Sequence, residues 1–335
     1  MILDNFHRVR LIDQPTALQR LSRIEALNGH QSLWVKRDDA ILLGQGGNKL
    51  RSLEFWLGEA RAQSCDIVFV AGKSVSNMCR AAAAAAAKTG LDCLILHNDD
   101  EPVRREGNFL LSHLYGASFQ FLGPIDEDER AVKLREAAED LRRRGRRPYI
   151  VGDSVTGALG YVQGAFELHQ QAEDMGAGLR HIFLPGSMGT TEAGFLFGCA
   201  LLGGPFTVHL VSVEYDLAEL RERVDAIYRG IAERLGTRPA SNYRQWTQFH
   251  DSYLGAGYDQ PTPASLAAIR TFAGHEACCW KTPIPPNPPP RCSIWPRMAA
   301  CRRTNPPVCC IRGASLRCLP RRTILNDRLR RSMPA

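Results

Sequence analysis

Short apolar runs set between longer helical stretches constrain this chain more than any other feature. Residues 66–71, 91–97, 118–122, 149–151, 181–185 and 206–213 are each bounded by glycine, proline or charged residues. They are too short for regular helices and read as buried strands. Between and after them, 78–88, 108–115, 126–144, 157–175, 190–202 and 217–235 carry helical patterning. A further helix is expected over 15–27 and a strand over 33–36. The alanines from Ala81 to Ala87 have high helix propensity and allow close packing on a sheet. Strands alternating with helices at this spacing predict an α/β fold with mainly parallel sheets, doubly wound, with helices on both faces. No linker rich in Pro, Gly or Ser divides the first 276 residues, so two domains would have to be interwoven.

Whole-chain values hide a break. The net charge is +7 and there are 11 cysteines. The first 276 residues hold 30 Lys+Arg against 34 Asp+Glu, and only Cys65, Cys79, Cys93 and Cys199. The last 59 hold 12 Lys+Arg, one acid, seven cysteines and 11 of the 20 prolines. The basic character therefore belongs to the tail. Its arginines lack the aromatic interleaving of a nucleic-acid binder, and no Cys-x-x-Cys pair marks a zinc site. No nucleic-acid partner and no metal are expected. A shifted reading frame would explain the break: back-translated with chosen synonymous codons and read one nucleotide earlier, 277–286 with the first bases of the next codon can spell Gly-Leu-Leu-Leu-Glu-Asn-Pro-Tyr-Thr-Ser-Lys. Prolines 283–290 exclude a regular helix or inner strand there, and a poorly ordered tail is expected over 277–335. No run reaches the roughly 18 apolar residues of a membrane helix, and no signal-peptide pattern opens the chain. A cytoplasmic protein without a membrane partner is expected.

Three strand-to-helix junctions carry residues capable of chemistry, and in open α/β sheets such junctions gather at the carboxyl ends of the strands. The first is Gly44-Gln45-Gly46-Gly47-Asn48-Lys49-Leu50-Arg51. It delivers Lys49 to the first turn of a helix, with Asn48 as candidate N-cap. A lysine held there partly desolvated has a lowered pKa and a nucleophilic amine; the plain alternative is a solvated lysine on a turn. The second is Ser76-Asn77, after a buried strand, where Ser76 is at the least an N-cap. The third is Gly186-Ser187-Met188-Gly189-Thr190-Thr191. Small residues and backbone N–H groups at a helix start make a phosphate cup, although a plain turn has similar composition. A lysine, a polar group and a phosphate cup are the parts that pyridoxal phosphate requires.

Taken together, Lys36-Arg37-Asp38-Asp39, Gly46-Gly47-Asn48-Lys49-Leu50-Arg51 with Leu53-Glu54, and Ser76-Asn77 with Arg80 resemble the 1-aminocyclopropane-1-carboxylate deaminase/D-cysteine desulfhydrase family. These are fold-type II, tryptophan synthase β-like, pyridoxal phosphate enzymes. Gly157-Ala158-Leu159-Gly160-Tyr161-Val162, Met188-Gly189-Thr190-Thr191-Glu192-Ala193-Gly194 and Gly255-Ala256-Gly257-Tyr258 with Pro261-Thr262 extend the likeness from about residue 8 to Glu276.

The resemblance implies a larger cofactor domain over 1–46 and 155–276 and a smaller inserted one over 47–154. It implies that Lys49 binds pyridoxal 5'-phosphate covalently and then acts as the base at Cα. Asn77 meets the cofactor's 3-oxygen, and Ser187, Met188, Gly189, Thr190 and Thr191 hold its phosphate. Ser76 meets the substrate carboxylate and is a candidate nucleophile, and Tyr258 positions substrate. The substrate is a small amino acid and the assembly a homodimer. Desulfhydration of D-cysteine to pyruvate, ammonia and sulfide is the leading expectation. Ring opening of the cyclopropane amino acid, or a non-catalytic remnant, are the alternatives. Departures are Met78 where the family has His or Gln, Val75 before the serine, and the replaced C-terminus. There the last strand, ending in a small-residue turn beside the pyridine nitrogen, is expected to be missing.

Overall fold

The computed structural model describes residues 2–255, 260–278 and 308–311. The elements begin with β1 (Leu18–Arg20), α1 (Ser22–Asn28), β2 (Leu33–Lys36), α2 (Lys49–Ala62), β3 (Ile67–Ala71), α3 (Asn77–Thr89), β4 (Asp92–His97), α4 (Gly107–Leu114) and β5 (Ser118–Phe121). There follow α5 (Glu127–Arg143), β6 (Pro148–Ile150), α6 (Ser154–Asp174), β7 (His181–Gly186), α7 (Thr190–Leu201), β8 (Thr207–Ser212) and α8 (Leu217–Leu235). The last described elements are β9 (Thr247–His250), α9 (Pro263–Glu276) and β10 (Val308–Ile311).

These strands form two sheets of the α/β type. One has the order β5-β4-β3-β6 and is wholly parallel. The other has the order β1-β2-β10-β7-β8-β9 and is parallel except where β1 meets β2. In β3, Ile67, Val68, Phe69 and Val70 are all buried, the unbroken apolar pattern of a strand covered on both faces. Residues Ala81 to Ala86 of α3 are buried, as their small size allows. By contrast α5 buries only Ala138; Asp126 caps it through the N–H of Glu129, and its charges pair along a solvated face.

The main core lies between α6, α7, α8 and the six-stranded sheet, around Leu159, Val162, Phe195, Phe197, Val208 and Leu210. Helix α6 runs against α2 so closely that a Cβ built on Gly160 would lie 2.3 Å from the Arg51 carbonyl. The thiols of Cys79, Cys93 and Cys199 are buried, and burial pushes those of Cys79 and Cys93 up to about 12. They are packing groups, whereas Cys65 is only half-buried. Among the described residues no helix is long and apolar enough to cross a membrane.

Four departures from the sequence reading have physical causes. Residues 15–27 are not one helix. Leu18–Arg20 is extended because it pairs with β2, and the N–H of Leu21 reaches the Leu33 carbonyl at 2.8 Å. Strand β9 and helix α9 were not anticipated, although α9 carries Pro263 in its first turn and a Thr262–Ser265 capping box. Asn48 has helical backbone angles and makes no cap bond. The tail is not wholly without structure: Val308–Ile311 forms a strand between β2 and β7. Its four residues are β-branched or small and apolar, which suits an inner position. The remaining tail expectations lie outside the described residues.

Replacing Gly160 by alanine forces α2 and α6 apart. The expected loss is about 1–3 kcal/mol, read as a lower urea midpoint with an unchanged slope. An unchanged midpoint would show that the two helices are not held at that distance.

Candidate active site

A buried charge cluster sets the position of the lysine turn. Strand β2 ends in Lys36 and runs into Asp38, both buried. Arg51, on the first turn of α2, donates to Asp38 through Nε at 2.8 Å and Nη2 at 2.7 Å. It also donates to both Glu167 oxygens at 2.9 Å. The Tyr161 hydroxyl donates to Asp38 at 2.6 Å and the Thr16 hydroxyl at 2.8 Å. Lys36 donates to the Thr16 carbonyl and the Gln171 amide oxygen, each at 2.6 Å, and pairs with Glu167. Burial alone raises the Asp38 carboxyl pKa, but the Arg51 charge and hydrogen bonds overcome it and the net displacement is downward. Glu167 is lowered for the same reason.

The turn between Asp38 and Lys49 hangs from this cluster. The Gly47 N–H donates to the Asp38 carbonyl at 2.8 Å. Gly46 has φ of 70°, and a Cβ there would lie 2.3 Å from the Asp39 carbonyl oxygen, so only glycine fits. Lys49 then opens α2. Burial lowers its pKa, and the charges of Glu192 and Glu214 partly restore it. Its ammonium makes no hydrogen bond among the described residues. A desolvated amine of this kind reaches the neutral, nucleophilic form at lower pH than an exposed lysine.

Two contacts bring the other junctions to this turn. Instead of capping its own helix, Asn48 donates from Nδ2 to Thr191 Oγ1 at 3.1 Å, which ties the lysine turn to 186–191. On the other side, Arg80 of α3 donates to the Gly46 carbonyl at 3.1 Å, which ties the turn to the helix opened by Ser76. In the cup, Gly189 sits in the left-handed region at φ 85°. The N–H of Ser187 and that of Gly189, at 3.4 Å, both point to one oxygen of Glu192. The Ser187 hydroxyl donates to Glu214. Met188 is exposed and stands beside the Tyr215 hydroxyl at 3.3 Å.

The loop between β3 and α3 is braced from below. Asp99 accepts the N–H and hydroxyl of Ser74. Buried Asn108 donates to the Val75 carbonyl at 2.7 Å and to Asn77 Oδ1 at 2.8 Å. Ser76 caps α3 by accepting the Cys79 N–H at 3.3 Å. Its oxygen is an acceptor in that bond, so its own proton is available for donation.

Lys49, Thr191 and the α3 start are thus brought together, with Ser187, Met188, Gly189 and Thr190 on the cup beside them. Tyr258 lies outside the described residues. The sequence reading missed Asn108, Glu167 and Glu214, and it gave Glu192 no role of its own. Asn108 and Glu167 sit on helices at ordinary polar positions, where nothing in local spacing marks a partner far along the chain.

Three comparisons relate the chain to known proteins. The family model described as Pyridoxal-phosphate dependent enzyme matches residues 9–279. The D-cysteine desulfhydrase of Salmonella paratyphi B is 32% identical over 282 residues, covering 82% of this chain and 84% of the relative. A solved structure described as an ACC deaminase homologue superposes with a TM-score of 0.81 at 26% identity, covering 94% of each chain. A threonine deaminase from T.th. superposes at 0.62 with 17% identity, covering 92% of this chain and 94% of its own, which speaks for the fold. The donor set fits pyridoxal phosphate. The amides of the cup already converge on a carboxyl oxygen, that of Glu192, and a desolvated lysine stands in the adjoining turn.

The charge cluster makes a stability prediction. Asp38→Asn keeps the shape but leaves Arg51 buried with Glu167 alone, and a loss of about 3–5 kcal/mol is expected. The folded pKa values of Asp38 and Glu167 lie below their unfolded values, so their stabilisation is present above about pH 4 and is lost as pH falls through the folded values. Urea unfolding at a series of acid pH values should give a shallower slope for Asp38→Asn than for the parent. Parallel curves of equal stability would show that the pair does not hold the fold.

Proposed function

Because the chain belongs to the pyridoxal-phosphate dependent enzymes, we propose that it is a D-cysteine desulfhydrase-like lyase acting on a small amino acid. The observation that carries the reading is the joining of the desolvated Lys49 turn to the phosphate cup through Asn48 and Thr191. The 32% identical desulfhydrase relative supports the substrate.

Pyridoxal phosphate, when bound, supplies an electron sink for negative charge at the substrate's Cα. The rest falls to the chain's own side chains. Residues 187–191 hold the phosphate. Asn77, whose oxygen is engaged by Asn108, offers its amide N–H to the 3-oxygen. Lys49 holds the cofactor and then takes the proton from Cα, a task suited to an amine whose pKa burial has lowered. Ser76 donates its hydroxyl proton to the substrate carboxylate. Met78 follows Asn77 on α3 and is half-buried; as an apolar group it moves no proton. Loss of the α-proton and then of sulfide, with water hydrolysing the remaining enamine, gives pyruvate and ammonia.

Ring opening of 1-aminocyclopropane-1-carboxylate is the second reading, supported by the ACC deaminase homologue structure. It differs in product: 2-oxobutyrate and ammonia, without sulfide. A non-catalytic remnant remains the contrasting reading for a chain with this tail. A homodimer in the cytoplasm is our working assembly and location.

Product analysis separates these readings. With pyridoxal phosphate and D-cysteine, the full chain is expected to release sulfide and pyruvate in equal amounts, and Lys49→Ala to lower the rate by at least about a thousandfold. Release of 2-oxobutyrate from the cyclopropane substrate, with no sulfide or pyruvate from D-cysteine, favours the second reading. Turnover that survives Lys49→Ala removes the lysine from the mechanism, and no turnover of either substrate leaves the remnant.

A further inference from the structure

Glu192 sits at N3 of α7, an ordinary place for a capping acid, but its carboxylate reaches beyond the cap to a second amide. It is the third residue of α7, buried at 3% exposure, and its carboxylate lies inside the cup rather than on the helix surface. One oxygen accepts the N–H of Ser187 and that of Gly189. Those amides are the donors assigned above to the cofactor's phosphate. Helix α7 runs from Thr190 to Leu201, and an acid in its first turn is favoured by the helix dipole. An acid that simply complemented the dipole could do so from the surface. Here one oxygen accepts from the half-buried Ser187 amide as well as from the buried Gly189 amide of the helix cap.

A phosphate and an ionised carboxylate cannot share this nest. Two anions at hydrogen-bond distance from the same amides repel strongly when water is excluded. We propose that Glu192 is the cup's own anion. In the cofactor-free chain it holds the Ser187 and Gly189 amides, and it must take up a proton from solvent and release them before the cofactor's phosphate can seat. The inference rests on the assignment of 187–191 to that phosphate.

Several neighbouring elements face Glu192. Lys49 at the start of α2 is the cation whose charge acts on it, against a larger effect of burial, which raises the carboxyl pKa. Beyond β8, Glu214 is turned to the Ser187 hydroxyl. From α8, Leu220 and Ile227 approach the cup glycines, while Arg223 pairs with Glu219 and lies over Tyr215. No second cation is aimed at the carboxylate among these residues.

Below the raised pKa the carboxyl is neutral and yields the amides readily. As pH rises through that value it becomes an anion and competes, so phosphate affinity falls. Calorimetric titration of the full chain with inorganic phosphate, and absorbance titration with pyridoxal phosphate, should be run across pH for the parent and Glu192→Gln. At the alkaline end the variant is expected to bind both about tenfold or more tightly, the change that one pKa unit represents, and with a flatter pH profile. Equal or weaker binding by the variant throughout would overturn the proposal.

If the variant does not fold, the parent alone decides. Phosphate binding at a pH where phosphate is already dianionic, measured in two buffers of different ionisation enthalpy, should show uptake of about one proton. Absence of uptake would overturn the proposal. Cofactor that attaches to Lys49 equally well in both proteins would contradict the role of Glu192 and leave the function standing. Tighter phosphate binding by the variant without attachment at Lys49 would do the reverse.

Discussion

The pairing of Arg51 with Asp38 is the interaction on which the site depends. It is buried on both sides, with side chains 3% and 1% exposed, so neither charge can fall back on water. A lone buried ion is far more costly than a paired one. The cluster therefore forms as a unit or not at all. It draws together the end of β2, the start of α2 and the middle of α6, through Asp38, Arg51, Tyr161 and Glu167. The glycine turn between Asp38 and Arg51 has little freedom left, because both its ends are fixed. Lys49 lies two residues before Arg51, which is why a cluster with no chemistry of its own decides where the amine stands.

The two sheets meet the reactive turn from different sides. The six-stranded sheet brings β7 and the cup, and Asn48 fastens the turn to it. The four-stranded sheet brings β3 and the start of α3, and Arg80 fastens the turn to that. Strand β10 matters to the first of these. It pairs in parallel with β2 on one side and β7 on the other, and so joins β1 and β2 to the strands that carry the cup. Without it, β2 and β7 would each present an unpaired edge inside the protein, an unfavourable arrangement for buried backbone groups.

Much of this was legible in the sequence, and what was not has particular reasons. Unbroken apolar runs such as 67–70 and the glycine turns are local signals, and the strands and junctions they predicted are found, mostly within a residue or two. Lys49 and the cup were recognisable because their chemistry is written in consecutive residues. Leu18–Arg20 was read as helix because its pairing with β2 is a tertiary contact that overrides local periodicity. Asn48 was expected to cap its helix, yet its partner is 143 positions away, and no local rule anticipates that. Glu167 and Asn108 were missed on the same ground. Glu192 was visible as part of a motif, but only the folded cup shows its carboxylate among the amides. The strand at Val308–Ile311 was obscured by the proline- and arginine-rich composition around it.

The central claim is that the fold presents one desolvated lysine beside an oxyanion-binding cup. Reduction with borohydride after incubation of the full chain with pyridoxal phosphate, followed by peptide mapping, tests it most directly. The account predicts that the label is fixed on the peptide containing Lys49, at about one equivalent per chain. Label distributed over Lys73, Lys88 and Lys133, or none retained, would contradict it.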